Sequence, residues 1–339
     1  PTRINQSIII EDGGLLKVKD DVYLSELSRI IVKRGGKLVV DGGRLSSSCK
    51  NGQWRGVELH GNSYQPQNDS SQGTVKVRDG GIIENALCGI RVYRIPPPPN
   101  PEGNWEQDYN GGIVQCDSAF FINNEVAVEF KTYPTESDSY FHRTNFITDD
   151  RAYDGFEPEA FVGMLGMRGV DFKGCIFENK MTKPGLTYAE KGYGIYSVAS
   201  SYTVDDYCLM DALDCEEPII TEFRNLNYGI HATDYRYNMA PTIKNSEFKQ
   251  NKTGVYLGGI NGAVVERNIF NTEPIGGNAG EDIMGGLYLD HSTAYSLQEN
   301  EFTSYDSAGF IQNTVGLVVN DGGEQNNLIY NNYFERQQW

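Results

Sequence analysis

Phe248-Lys249-Gln250-Asn251-Lys252-Thr253-Gly254-Val255-Tyr256-Leu257 decides the fold, because the chain repeats this pattern. Phe223-Arg224-Asn225 leads to Gly229-Ile230-His231, and Ile83-Glu84-Asn85 leads to Gly89-Ile90-Arg91-Val92. In all three segments an apolar residue and a glycine stand six positions apart. Less regularly, Phe302 leads to Gly316-Leu317-Val318-Val319 after an insertion. A second series, Asn268-Ile269-Phe270, Asn300-Glu301-Phe302 and Asn332-Tyr333-Phe334, recurs with a step of 32 residues. Asn145-Phe146 and Cys175-Ile176-Phe177 are degenerate earlier members. Periods of about 20–50 residues mark solenoids and propellers.

The physics favours a solenoid. Segments such as GVYL, GLYL and GLVV are short and alternate in and out, with apolar members at period two, so each offers one strand that cannot bury its face alone. Stacked on copies of itself, such a strand gains a continuous apolar interior and satisfies its backbone on the rungs above and below. Phe and Ile at matched positions are expected to stack as internal ladders, and Asn at the bends to bond neighbouring backbone. A propeller needs sets of four longer antiparallel strands per blade, and no such sets occur.

The N-terminal third follows the same grammar. IIIEDGGLLKVKDDVYL (8–24) precedes RIIVKRGGKLVVDGGRLS (29–46), WRGVELHG (54–61) and TVKVRDGGIIENA (74–86). Gly35-Gly36, Gly42-Gly43 and Gly80-Gly81 mark tight corners. The whole chain, 1–339, is expected to form one domain, with 1–30 supplying an N-terminal cap and the first rungs. Residues 94–110, with Pro96 to Pro99 and Pro101, and residues 178–218 read as loop insertions. At roughly 28 residues per rung the chain makes about a dozen rungs, a rod about 55 Å long at ~4.8 Å per rung. The last residues, NNYFERQQW, still read as a repeat, as in a fragment of a longer protein.

Composition agrees with an all-β chain rich in turns. Its 339 residues include 38 Gly, 21 Tyr and 15 Phe against 3 Trp and 6 Met. The net charge of −17 comes from 46 acidic and 29 basic residues. That surface opposes nucleic-acid phosphates and anionic membranes, and no apolar run is long enough for a membrane helix. Ca²⁺, neutral glycans and basic partners remain compatible with it. Of six cysteines, Cys49, Cys88, Cys116, Cys175, Cys208 and Cys215, only the last two lie close in sequence, and one disulfide is expected.

Gly36-Lys37-Leu38-Val39-Val40-Asp41-Gly42-Gly43, Trp54-Arg55-Gly56-Val57-Glu58-Leu59-His60-Gly61-Asn62, Gly80-Gly81-Ile82-Ile83-Glu84-Asn85-Ala86 and Gly89-Ile90 resemble the β-helix region of large secreted Bacteroidetes proteins. Those proteins commonly carry a C-terminal type IX secretion sorting domain, which these residues do not contain. The resemblance spans residues ~30–92 well and the rest loosely. It implies a right-handed parallel β-helix of the pectin-lyase-like kind and export to the cell surface or medium.

Fold alone does not carry function. The Asn-Thr-Asp, Asp-Asp, Gly-His-Gly and Arg-Ile-Lys series that resembles polygalacturonases is missing, as is a lyase-like Arg-x-Pro-x-x-Arg. The best catalytic constellation is His231-Ala232-Thr233-Asp234-Tyr235-Arg236, with His231 or Asp234 as base and Arg236 holding a uronate carboxylate. Asp149-Asp150 and Asp205-Asp206 are the acidic pairs. For all of these, polar residues on a solvated face are the plainer reading. Aromatic density says more. Trp105, Tyr153, Tyr193, Tyr202, Tyr207, Tyr235 and Tyr237 stand among polar loop residues, as ligand-binding rings do. The expectation is a non-catalytic surface module that binds a polysaccharide or a cell-surface protein. A polysaccharide lyase or glycoside hydrolase with its groove in the central rungs is the first alternative, and a structural stalk the second.

Overall fold

The structure is a computed structural model, and it describes residues 1–96, 105–153, 155–209, 215, 217–272, 284–304 and 314–335. The chain winds as a right-handed parallel β-helix. Among the described residues every named strand joins one of three parallel sheets, of 12, 11 and 11 strands. Sheet I runs from Thr2–Ile4 to Tyr333–Glu335, sheet II from Ile8–Ile10 to Thr314–Asn320, and sheet III from Leu15–Val18 to Leu328–Tyr330. Each strand pairs with the one three strands later in the chain, so successive turns stack as the repeats require. The number of turns matches the expected dozen.

The interior is built from ladders. On sheet I, Phe121, Phe146, Phe177, Phe223, Phe248, Phe270 and Phe302 are all fully buried. From Phe146 to Phe302 their rings stack at centroid separations of 4.5–4.8 Å, within 9° of parallel. The glycine of the repeat explains the six-residue spacing. A Cβ on Gly229 would lie 2.5 Å from the Gly254 carbonyl and 2.8 Å from the Phe248 ring. Gly194, Gly254 and Gly286 are confined in the same way by Phe223, Phe270 and Phe302. The rungs that start at Phe223 and Phe248 therefore need, six residues later, a residue with no side chain to admit the next rung's phenylalanine.

The asparagine series is also a ladder. Asn268 Nδ2 donates to Asn300 Oδ1 at 3.0 Å, and Asn300 Nδ2 to Asn332 Oδ1 at 2.9 Å. These side chains also cap backbone groups of the preceding rung. At the corners the chain turns within one residue. Asn245, Arg267, Glu299 and Asn331, which follow strands of sheet III, all have φ between 45° and 55°, a region that Asn tolerates better than most residues.

Two expectations about the chain's organisation need correction. Residues 178–218 are not one insertion, because Tyr193–Val198 and Ser201–Asp205 are rung strands. Their inward Ile195, Ser197, Tyr202 and Val204 are buried, while outward tyrosines give the segment its loop-like composition. The expected N-terminal cap is itself a rung, since Thr2–Ile4 pairs directly with Asp21–Leu24. Of the 94–110 excursion, 97–104 lie outside the described residues. Its base is pinned where Glu106 N–H donates to the Arg94 carbonyl at 3.2 Å. Cys208 and Cys215 form the expected disulfide, and residues 336–339 of the terminal repeat lie outside the described residues.

Candidate functional site

The acidic and basic candidates from the sequence do not converge. Asp149 follows a sheet I strand and accepts from Asn123 Nδ2 at 2.9 Å and from the Arg151 guanidinium at 2.7 Å. Asp150 takes the Thr182 hydroxyl and backbone N–H. Asp205 ends a sheet III strand, and Asn245 Nδ2 bridges it to Asp206 at 2.7 and 3.0 Å. Burial, and then the neighbouring Asp206, raise the Asp205 carboxyl. His231 lies on sheet II. The three groups thus occupy three different faces or corners of the rod.

Asp234 is a loop staple. Its buried carboxylate accepts the backbone N–H groups of Arg236, Tyr237 and Met239 at 2.9, 2.8 and 2.6 Å. Arg236 lies exposed on the loop that Asp234 holds. The expectation that Tyr202 meets ligand is corrected, because its ring is core and its hydroxyl lies 3.2 Å from Ser197 Oγ. Tyr207 packs over Arg143 on the sheet III side, and Tyr153 sits edge-on to Phe156. Tyr237 is exposed on the same loop as Arg236.

Sheet II gathers the remaining candidates with several residues the sequence reading did not single out. One outward position in register across its rungs runs Glu58, Arg91, Glu129, Gly163, Tyr196, His231, Tyr256, Tyr288. The last four rings stack on one another, with centroids 5.3, 4.7 and 5.5 Å apart. Beside them Tyr193 stacks on Tyr228 at 5.3 Å. Tyr256 is fixed by its hydroxyl, 3.0 Å from Asp290 Oδ2, and Tyr235 lies alongside, against Gly258 and Gly259.

Where this aromatic strip ends, a cavity of about 470 Å³ opens on the same face. The strand Ala160–Leu165 forms its floor. Ala160 is in register with Tyr193, and Gly163 with Tyr196, so both aromatic columns shrink to small residues on this one rung. The far wall is charged. Glu129 accepts from Tyr93 Oη at 2.5 Å and from Lys131 Nζ at 2.5 Å, and its carboxylate lies 3.9 Å from Arg91 Nε. Trp105 packs by this wall, 4.9 Å from Lys131 Nζ. Glu125 and Glu159 immediately precede the paired residues Val126 and Ala160, so they stand on neighbouring rungs. Burial raises the Glu125 carboxyl, and the Glu159 charge adds to the shift. Among the described residues, no group of three or more His, Cys, Asp or Glu side chains is arranged to hold a metal ion, and no helix is long and apolar enough to cross a membrane.

His231 is the one sequence candidate at the centre of the strip. Its ring lies between Tyr196 and Tyr256, and its Nδ1 is buried without a hydrogen-bond partner. Burial holds the imidazole below its ordinary value of 6.5, so folding favours the neutral ring. Its contribution to stability is therefore complete above pH 6.5 and lost as pH falls through the lowered value. The stability difference between the wild type and His231→Phe, which keeps the stack but cannot titrate, is expected to shift in favour of the variant on acidification. Melting curves from pH 7.5 to 5 check this, and a pH-independent difference would contradict it.

No protein-family profile matches the chain, and no curated protein matches it. Solved structures do. The chain is similar to the periplasmic alginate epimerase AlgG, at 11% identity over 97% of this chain and 77% of that one, with a TM-score of 0.44. It is also similar to the Streptococcus pneumoniae surface protein and adhesin PfbA, at 11% identity over 98% and 89%, TM-score 0.36. A third is DFA-IIIase from Arthrobacter chlorophenolicus A6, at 10% identity over 91% and 74%, TM-score 0.33. Likeness at these levels bears on neither substrate nor mechanism.

Proposed function

We propose that the outer face of sheet II binds a polysaccharide, and that the protein acts as an exported surface recognition module. The observation that carries this reading is the four-ring strip from Tyr196 to Tyr288, which runs along the rod from rung to rung. Stacked on one another, these rings turn edges and polar tips outward at a spacing set by the rungs. A long polymer lying along the rod would meet apolar ring edges for its CH surfaces, with groups such as Asp290 and the Tyr235 hydroxyl beside them for its own hydroxyls. The rings are preorganised by their neighbours, so little side-chain entropy is lost on binding. Export to the cell surface or medium, which the sequence resemblance implies, belongs to the same reading.

Retention of the purified protein on insoluble and gel-embedded polysaccharides tests it. Tyr256→Ala breaks the middle of the strip and is expected to weaken retention about tenfold, equivalent to ~1.4 kcal/mol. Retention unchanged in both Tyr256→Ala and Tyr288→Ala would remove the strip from the explanation. A hydrolytic or eliminative role has one observation in its favour, the half-buried Glu125 beside Glu159 in the cavity. Release of soluble products in the same assay would establish that role. Neither retention nor release would leave the stalk.

A further inference from the structure

We infer that the gap at Gly163 is a slot for one sugar ring without acidic substituents, stacked on the face of Tyr196 as the next member of the aromatic column. This rests on the polysaccharide-binding reading of sheet II and names its substrate class. Tyr196 stacks on His231 on one side only. In the other direction its rung neighbour is Gly163, and Tyr196 and Gly163 both line the cavity. The ring is 40% exposed, more than any other large side chain in the column. The column thus ends on a ring face, whereas its interior members offer only edges.

The slot is one ring thick. Gly163 lies between Glu129 on one rung and Tyr196 on the next, so these flanking positions stand about two strand spacings apart, ~9–10 Å. One ring fits there with ordinary contact of ~3.5–4 Å on each side, and two do not. The vacancy comes from the sequence rather than from crowding. A Cβ on Gly163 would meet only Glu129 Cγ, at 3.6 Å, and the residue shows no left-handed φ. Nothing in the backbone demands glycine at this position, while a side chain there would fill the slot.

The charges select against acids. Of the cations of the wall, Lys131 pairs with Glu129, and Arg91 Nε donates to Tyr93 Oη at 3.0 Å while lying 3.9 Å from Glu129. Glu125 and Glu159 line the cavity on adjacent rungs with no ion-pair partner among the described residues. A uronate carboxylate entering the slot would face these two carboxylates with the cations already engaged. Hydroxyl or ammonium groups would instead donate to them.

The test uses three soluble probes, hexamers of β-1,4-linked glucose, glucosamine and galacturonate, in calorimetric titrations of the wild type, Gly163→Tyr, Gly163→Val and Glu125→Gln. The expected result is binding of a non-acidic hexamer and none of galacturonate. Both Gly163 variants should fold with wild-type melting behaviour and lose about tenfold or more in affinity, and Glu125→Gln should weaken glucosamine more than glucose. Folded Gly163 variants that bind as the wild type does, or a preference for galacturonate, would overturn the slot. If Tyr256→Ala still loses polysaccharide retention while the Gly163 variants do not, only the slot fails. If the wild type binds none of the hexamers and no polysaccharide, the reading of the whole face fails with it.

Discussion

Phe248→Ala is expected to cost about 3–5 kcal/mol, the usual loss for emptying a large aromatic site in a core. Phe248 is 1% exposed and lies between Phe223 and Phe270, each 4.8 Å away and within 9° of parallel. The substitution removes two ring–ring contacts as well as buried area. Collapse into the void is hindered. Gly229 and Gly254 have no side chains to move in, and the strands beside the site are held in register by both neighbouring rungs. Because a solenoid is coupled mainly between nearest neighbours, the damage should be local before it is global. Hydrogen exchange should accelerate first in Tyr228–Thr233 and Thr253–Gly258, with smaller changes in Lys37–Asp41 far along the rod. Urea denaturation measures the total, and a loss under about 1 kcal/mol would mean that the phenylalanine column is not a main source of stability.

The fold was legible because it depends on residues whose spacing is fixed by stacking. Phe248 and Gly254 reveal the rung because the ring of one turn must fit over the glycine of the turn before. Asn268, Asn300 and Asn332 reveal its length because each amide must meet the next. The rungs at Tyr193–Val198 and Ser201–Asp205 were harder to see, since Ser197 and Tyr202 take inward positions where the pattern expects aliphatic residues.

The site was less legible, although part of its signal lies in the motif that revealed the fold. The residue after the central aliphatic in seven consecutive sheet II strands is Arg91, Glu129, Gly163, Tyr196, His231, Tyr256 or Tyr288. Aligned by rung, these form one outward column. Aligned by composition, they disperse among tyrosines such as Tyr207, which packs over Arg143 on the sheet III side. His231 was singled out for its chemistry, yet its neighbours in space come from strands 25 to 35 residues away in the chain. The Glu125–Glu159 pair carries no local sequence signal. Its members meet only because Val126 pairs with Ala160 across a rung that includes the long loop between Phe130 and Tyr140.

Asn300→Leu tests the other ladder, and its cost has a different origin. Leucine shares asparagine's branching but is larger, so it buries no less apolar surface and adds some overpacking strain. What is lost is polar satisfaction inside the rod. Asn300 Oδ1 accepts from Asn268 N–H and Nδ2 at 3.1 and 3.0 Å, while its own Nδ2 donates to the Val265 carbonyl at 2.8 Å and to Asn332 Oδ1 at 2.9 Å. Asn300 and Asn268 are both buried. The variant strands the Asn268 backbone N–H and takes the side-chain donor from the Val265 carbonyl, at about 1–3 kcal/mol for each group left without a partner, while the Asn268 amide keeps its bond to the Ile243 carbonyl. Partial hydration at the corner offsets some of this, and about 2–4 kcal/mol is expected in all. Asn300→Asp separates the two halves of the role, because it keeps the acceptor for Asn268 and loses the donor to Val265 and Asn332. It should therefore be destabilising near neutral pH and recover in part in acid, where a protonated carboxyl regains one donor. Chemical denaturation of both variants at pH 7 and pH 4, each measured against the wild type, gives the answer. An Asn300→Leu variant as stable as the wild type would show that the corner hydrates freely and that the asparagines mark the turn without supporting it.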